Sequence, residues 1–140
     1  MNQIKCKRLF EDAKLPTRAY PSDAGIDLYV HSAFHHDEQW RIGTGVAVQI
    51  PPGFVGLVCP LSCMNRCGYT TRVEVIDSGY DGEIELTIGT NERNRRNRNT
   101  MVLDAKIAQL VIVPCLIGDV VEEHFEGGKR GRNGFGSSGQ

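Results

Sequence analysis

Asp77 closes the apolar run Val75-Ile76 and is followed by Ser78-Gly79-Tyr80-Asp81-Gly82. A carboxylate held at a strand end can take a proton from water as a general base. Tyr80, three residues on, offers a flat face to a sugar or base. An ordinary hairpin with aspartate at its turn has the same pattern. A second candidate is the stretch Lys129-Arg130-Gly131-Arg132-Asn133-Gly134-Phe135-Gly136-Ser137-Ser138-Gly139. Its glycines let backbone N–H groups converge on an anion, and its arginines add charge-assisted bonds to phosphate. It lacks the Lys-Ser or Lys-Thr pair of a Walker A loop. The same residues suit a disordered terminus or an RGG-like tail that contacts RNA.

Three other clusters point less sharply. The arginine-rich run Asn91 to Asn99 suits a nucleic-acid contact or a solvated loop. His31, His35, His36, Asp37 and Glu38 carry ligand atoms, yet their spacing matches no common metal site. Cys59, Cys63 and Cys67 fit neither a CxxC zinc pair nor an iron–sulfur run.

Strands must position these groups. Glu83-Ile84-Glu85-Leu86-Thr87-Ile88 alternates polar and apolar, which places Ile84, Leu86 and Ile88 on one strand face. Val46, Val48 and Ile50 repeat that period. Ile107 to Val113 is mostly apolar and reads as a strand buried on both faces. Pro52-Gly53 suits a type II turn, and Ser78-Gly79 and Gly118-Asp119 are similar breaks. Many short strands at this spacing argue for an all-β sandwich or barrel. One short helix is expected after Pro60, capped by Ser62, with Cys63 and Cys67 on one face. Cys59, preceding a proline, is expected to be extended. The division expected is a β domain over residues 1–126 and a mobile, glycine-rich tail over residues 127–140, too poor in apolar surface to order itself.

A chain of 140 residues suits one domain with one core. Its formal charge of −1 supplies no field that would draw it to nucleic acid or membrane. No apolar run reaches the roughly 18 residues of a membrane span, and no signal peptide is visible. With 5 cysteines, an odd number, a reduced cytoplasmic setting is expected in place of a disulfide framework.

The order and spacing of five stretches resemble the motifs of the trimeric dUTP diphosphatases, across nearly the whole chain. Ala24-Gly25-Ile26-Asp27-Leu28-Tyr29, with Pro16-Thr17-Arg18-Ala19 ahead of it, is similar to the first. Pro60-Leu61-Ser62 sits where the second begins. Val75-Ile76-Asp77 through Tyr80 and Gly82 looks like the third. Lys106-Ile107-Ala108-Gln109-Leu110 resembles the fourth, and Arg130-Gly131 with Gly134 to Gly139 the fifth. The resemblance implies a distorted jelly-roll barrel, a homotrimer with active sites shared between subunits, and hydrolysis of dUTP to dUMP and pyrophosphate with Mg²⁺. By that resemblance Asp77 activates the attacking water and Tyr80 stacks on the deoxyribose, leaving no room for a 2′-hydroxyl. Backbone groups around Val75, Ile76 and Glu85 read uracil, with Thr71 nearby. Leu61, Ser62 and Cys63 border the substrate, with Ser62 and Gln109 on phosphates. Asp27 acts near the metal through water, while Mg²⁺ is held mainly by substrate phosphates. The tail closes from a neighbouring subunit, with Phe135 over the base and Arg130, Gly136, Ser137 and Ser138 on the phosphates.

The chain departs from the pattern at four places, one of them the stretch Cys63 to Arg72, which matches poorly and is about one residue short of some family members. Leu61 stands where the family has arginine, Asp104-Ala105 where it has Gly-Asp, and Glu74 where it has glycine before Val75. A lost arginine–phosphate contact removes about 1.5–3 kcal/mol of charged hydrogen bonding. A catalytically impaired nucleotide-binding or regulatory module is therefore the alternative. The related dCTP deaminases share the Ile76-to-Tyr80 stretch, but Thr87 occupies the place of their catalytic glutamate.

Overall fold

A computed structural model describes residues 3–90 and 101–134. Its strands are β1 (Cys6–Arg8), β2 (Ile26–Tyr29), β3 (Ser32–His36), β4 (Gln39–Gly43), β5 (Val46–Val48), β6 (Phe54–Pro60), β7 (Tyr69–Thr70), β8 (Glu74–Ile76), β9 (Glu85–Thr90) and β10 (Lys106–Pro114). One helix, α1 (Ser62–Arg66), lies between β6 and β7. The chain is thus all-β with one short helix. The arginine-rich run Asn91 to Asn99 lies outside the described residues.

Two four-stranded antiparallel sheets, ordered β2-β10-β6-β8 and β3-β4-β9-β7, enclose the core, and β1 pairs with β5 in a separate ribbon. The alternation in β9 does what the sequence predicts. Ile84, Leu86 and Ile88 are all buried, and they join Leu28, Ile42, Val58 and Leu110 in one cluster. Val46, Val48 and Ile50 are buried with them. The turn at Pro52-Gly53 closes through Phe54 N–H to Pro51 O at 3.2 Å, with Gly53 at φ +80°. That is the positive φ a type II turn demands at its third residue. Cys59 is extended within β6, as expected before proline.

Two expectations need correction. Leu61, not Ser62, is the helix N-cap, and no side chain caps the helix. Leu61 N–H is drawn to Ile107 O at 3.1 Å, so the strand pairing continues past Pro60 to Leu61, and the helix starts at Ser62, one residue earlier than a Ser62 cap would set it. Strand β10 is also not buried on both faces. Ile107, Ala108 and Leu110 are buried, Gln109 is exposed, and Val111 to Val113 are half-buried. Ile112 packs against the core. Val111 and Val113 pair in register with Leu57 and Val55 and therefore share the opposite face of the sheet with them. Val75, 61% exposed, pairs with Leu57 and extends that apolar face onto β8.

The last strand ends at Pro114, and residues 115–134 carry no strand or helix. Leu116, Ile117, Val120, Val121 and Phe125 along this arm are exposed.

Leu110 sits fully buried on the central strand, between β2 and β6. Leu110→Ala is expected to lower unfolding stability by about 2–5 kcal/mol, the range for leucine truncations in a packed core. Urea unfolding followed by tryptophan fluorescence checks this through Trp40, the one tryptophan, which also packs against the core.

Candidate functional site

Strand β8 delivers Asp77 to its own end. The chain then turns on Gly79, at φ +88°, and Tyr80 N–H closes the turn on Asp77 O at 3.2 Å. The turn is tight enough to bring Tyr80 back beside the strand. Its hydroxyl donates to Glu83 O at 2.8 Å, and the ring lies across Gly82, where a Cβ would stand 2.5 Å from that hydroxyl. Five sequence candidates, Val75, Ile76, Asp77, Tyr80 and Glu85, line one concavity of about 270 Å³ together with Glu74 and Glu83.

Four carboxylates face this space, and three are engaged. Glu74 accepts from Arg72 Nε at 3.2 Å. Glu85 accepts from Arg41 Nη2 at 2.6 Å and Nε at 3.1 Å. The hydrogen bond and charge of Glu85 hold the Arg41 pKa above its ordinary value. Glu83 accepts the Gly45 N–H at 2.7 Å. Asp77 is exposed, and its carboxylate meets no donor or cation among the described residues. It is the one carboxylate here free to accept a proton from water.

Asp27 and Gln109 face each other across β2 and β10. With Ala19, Asp23, Ala24, Gly25 and Lys106 they line a second concavity of about 400 Å³. Gln109 reaches it because residue 25 is glycine; a Cβ there would come within 2.5 Å of Gln109 Oε1. The Asp27 side chain is 5% exposed and takes the Lys106 ammonium at 2.6 Å. That hydrogen bond raises the Lys106 pKa, and the Asp27 charge adds to it. The buried carboxylate is thereby paired, as its burial requires.

The remaining candidates lie elsewhere. Leu61 is half-buried, whereas Ser62 and Cys63 are exposed at the start of α1. Thr71 Oγ1 donates to Asn65 Oδ1 at 2.8 Å. None of the four lines either concavity. In the register of β6, Ile76 pairs with Gly56, whereas Ser62 lies just beyond the far end at Pro60. At about 3.3 Å per residue this places Ser62 roughly 20 Å from the Asp77 hairpin along the strand. Arg130 is exposed and donates through Nε to Asn133 O at 2.8 Å. Phe135, Gly136, Ser137 and Ser138 lie outside the described residues.

Sequence reasoning missed Glu83, Arg41 and Asp23. Glu83 occupies a polar position of the alternating run, on the side of Glu85, which was a usable signal; its partner Gly45 lies 38 residues away and left none. Of the histidines, His31 bonds Asp12 at 3.0 Å and stacks on Phe10. All five cysteines are free thiols. Among the described residues no group of three or more His, Cys, Asp or Glu side chains is placed to hold a metal, and no helix is long and apolar enough to cross a membrane.

The dUTPase family model matches residues 11–139. A deoxyuridine 5′-triphosphate nucleotidohydrolase of Nocardia farcinica is 33% identical, covering 99% of this chain and 87% of its own. That of Clostridium kluyveri is 36% identical, covering 98% of each. Among solved structures, the dUTPase of Staphylococcus bacteriophage 80alpha with dUPNHPP superposes with a TM-score of 0.83 at 29% identity over 100% of both chains. A variant dUTPase from phage phi11 of S. aureus, whose structure reveals coordination of a structural Mg(II) ion, gives 0.76 at 27% identity, covering 90% of this chain and 100% of its own.

The Asp27–Lys106 pair has a defined pH signature. Because the folded-state pKa of Lys106 is raised, the pair's stabilisation is complete at neutral pH and up to the ordinary lysine range, near 10.4, and is lost as pH climbs through the higher folded value. Asp27→Asn is therefore expected to melt below the wild type at pH 7, with a gap that narrows only above about pH 10. Melting temperatures of both proteins between pH 7 and 11 check this, and a gap constant with pH would refute it.

Proposed function

The chain belongs to the dUTPase family, and on that premise we propose how its residues perform the reaction. The protein is a dUTP diphosphatase, which hydrolyses dUTP to dUMP and pyrophosphate. The observation that carries the mechanism is the unpartnered carboxylate of Asp77 among three engaged ones. In the proposed reaction Asp77 takes a proton from water as its oxygen attacks the α-phosphorus. The bond from that phosphorus to the α,β-bridging oxygen breaks, and pyrophosphate leaves with the electron pair. Tyr80, its ring fixed by the Glu83 carbonyl, packs on the deoxyribose and excludes a 2′-hydroxyl. Backbone groups of Val75, Ile76 and Glu85 read the uracil edge. Arg41 keeps the Glu85 carboxylate occupied, so it does not compete for those groups.

The Asp27 concavity is the proposed phosphate end. Gln109 and Ser62 hold phosphate oxygens, and Leu61 and Cys63 border them. The donor set there suits Mg²⁺ bound through water. Asp23, Asp27 and Gln109 offer hard oxygen atoms, but Asp27 is already tied to Lys106, so the chain presents no closed cage. Mg²⁺, held mainly by the substrate phosphates, would offset charge on the triphosphate. Arg130, Gly136, Ser137 and Ser138 would close on the phosphates and Phe135 on the base, as residues 127–140 order over the bound nucleotide and exclude water.

Ser62, at the proposed phosphate end, lies roughly 20 Å along β6 from the Asp77 hairpin, a span that one chain does not close. Val55, Leu57, Val111, Val113 and Val75 share the outward apolar face of that sheet. Covering that face with further copies buries it and brings the Asp77 hairpin of one subunit to the Asp27 concavity of another, which is why the proposed assembly is a homotrimer. Leu61 is the one feature favouring a nucleotide-binding regulatory module, because it removes a phosphate-binding cation. Release of pyrophosphate from dUTP decides between the two.

Asp77→Asn is expected to reduce dUTP turnover by about 10²-fold or more while nucleotide binding stays within a few-fold, since the amide keeps the shape but cannot take the proton. Steady-state pyrophosphate release, with titration of a non-hydrolysable dUTP analogue, measures both. Turnover at the wild-type rate would overturn the role of Asp77. Removing Lys129 to Gln140 is expected to leave the melting temperature and the light-scattering mass of a trimer of the shortened chain in place and to cut turnover by about 100-fold, the value of lost donors to a developing charge. Unchanged turnover in that sample would refute closure by the tail.

A further inference from the structure

The Asp77–Glu83 hairpin returns to the body of the protein at Glu83, and two clamps meet there. The first is the peptide after Glu83, whose N–H, that of Ile84, donates to Val46 O at 2.9 Å. The second is the Glu83 side chain, whose Oε1 takes the Gly45 N–H at 2.7 Å. The carboxylate has room because residue 43 is glycine; a Cβ there would lie 2.5 Å from Oε1. Gly45 itself is wedged, since a Cβ on it would come within 2.7 Å of Ala13 Cβ and 2.8 Å of His31 Cγ. The anchor is therefore a fixed point between β4 and β5. The peptide clamp leaves rotation about the Glu83 Cα–C bond free, and that rotation would swing the Glu83 side chain together with Gly82 and the loop bearing Tyr80. The side-chain clamp removes it. Tyr80 in turn rests its hydroxyl on the Glu83 carbonyl and its ring across Gly82.

We infer that Glu83 is a positioning residue, which holds the Tyr80 ring through Gly45 and thereby sets the preference for deoxyribonucleotide over ribonucleotide. This rests on the reading that Tyr80 packs against the sugar. A ring displaced by a fraction of an ångström reopens space for a 2′-hydroxyl while leaving Asp77, on the other side of the turn, in place. The signature is a change in KM and in substrate preference with little change in kcat. Glutamine retains a carbonyl that can accept the Gly45 N–H, and alanine does not.

The test compares the full-length wild type, Glu83→Ala and Glu83→Gln. Pyrophosphate release is measured from dUTP and from UTP, together with melting temperature and NMR of ring-labelled tyrosine, the Tyr80 signal being assigned with Tyr80→Phe. For Glu83→Ala the dUTP KM is expected to rise about 10-fold, kcat to stay within about 3-fold, and the dUTP-over-UTP preference to fall about 10-fold. Its Tyr80 signal should move, and Glu83→Gln should restore all three toward wild type. An unchanged preference and Tyr80 signal in Glu83→Ala would show that the peptide clamp suffices and overturn the inference. Equal losses in both variants, tracking a lower melting temperature, would also overturn it. If Glu83→Ala does not fold, Glu83→Asp, whose carboxylate is one methylene short of Gly45, makes the same comparison. A wild type that releases no pyrophosphate would defeat the hydrolase reading alone. Dissociation constants for imido analogues of dUTP and UTP would then replace the rates, and the same shift in preference would decide the role of Glu83.

Discussion

Strand β10 has two faces to cover, and among the described residues only one of them is packed into the core. Leu110 and Ile112 belong to the core side, while Val111 and Val113 look outward with Val55, Leu57 and Val75 beside them. Apolar surface of this kind is favourably removed from water, and here it forms a continuous sheet face. The strand cannot be turned over to relieve it, because its register with β2 and β6 also sets Gln109 opposite Asp27. One pairing thus fixes the core, the outward face and half of the polar chemistry. In the proposed assembly, the packing that satisfies the outward face also completes the site, so folding, association and catalysis share a single geometric requirement.

The electrostatics show a division of labour. Carboxylates crowd both concavities, yet most are occupied by a partner that holds them in place: Glu85 by Arg41, Glu74 by Arg72, Glu83 by a backbone amide, Asp27 by Lys106. The exposed pairs contribute little to stability. Their effect is to limit where negative charge is available, which matters when the ligand is itself an anion. Asp27 differs from the rest because it is buried; its pairing with Lys106 is a condition of burying it at all.

Much of this was legible in the residues. The unbroken alternation of Ile84, Leu86 and Ile88 predicts the core face of β9 because a half-buried strand has no other way to sort its side chains. Pro52-Gly53 and Ser78-Gly79 predict their turns because the positive φ admits few residues. Val75, Ile76, Asp77, Tyr80 and Glu85 line one concavity, the first four from one hairpin and Glu85 from the strand that continues it. What stayed hidden depends on contacts distant in sequence. Ser62 has the chemistry of a cap, but the pull of Ile107 O on Leu61 decides where the helix begins. The run Ile107 to Val113 is apolar throughout, and its composition is the same whether the second face meets its own chain or another. Arg41 lies 44 residues from Glu85, and nothing local to either marks the pair.

Gly25 and Gly82 share a property with a wider consequence. Each is the neighbour of a polar side chain, Gln109 or Tyr80, that occupies the volume a Cβ would need. The information that aims those groups is therefore written as missing atoms. A search for function that scores only reactive side chains would rank these two positions last, although neither can accept even a methyl group while the polar group beside it stays where it is. Evolutionary drift in such a protein has an asymmetric cost: a reactive residue can sometimes be exchanged for a chemical cousin, but an empty space has no conservative substitute.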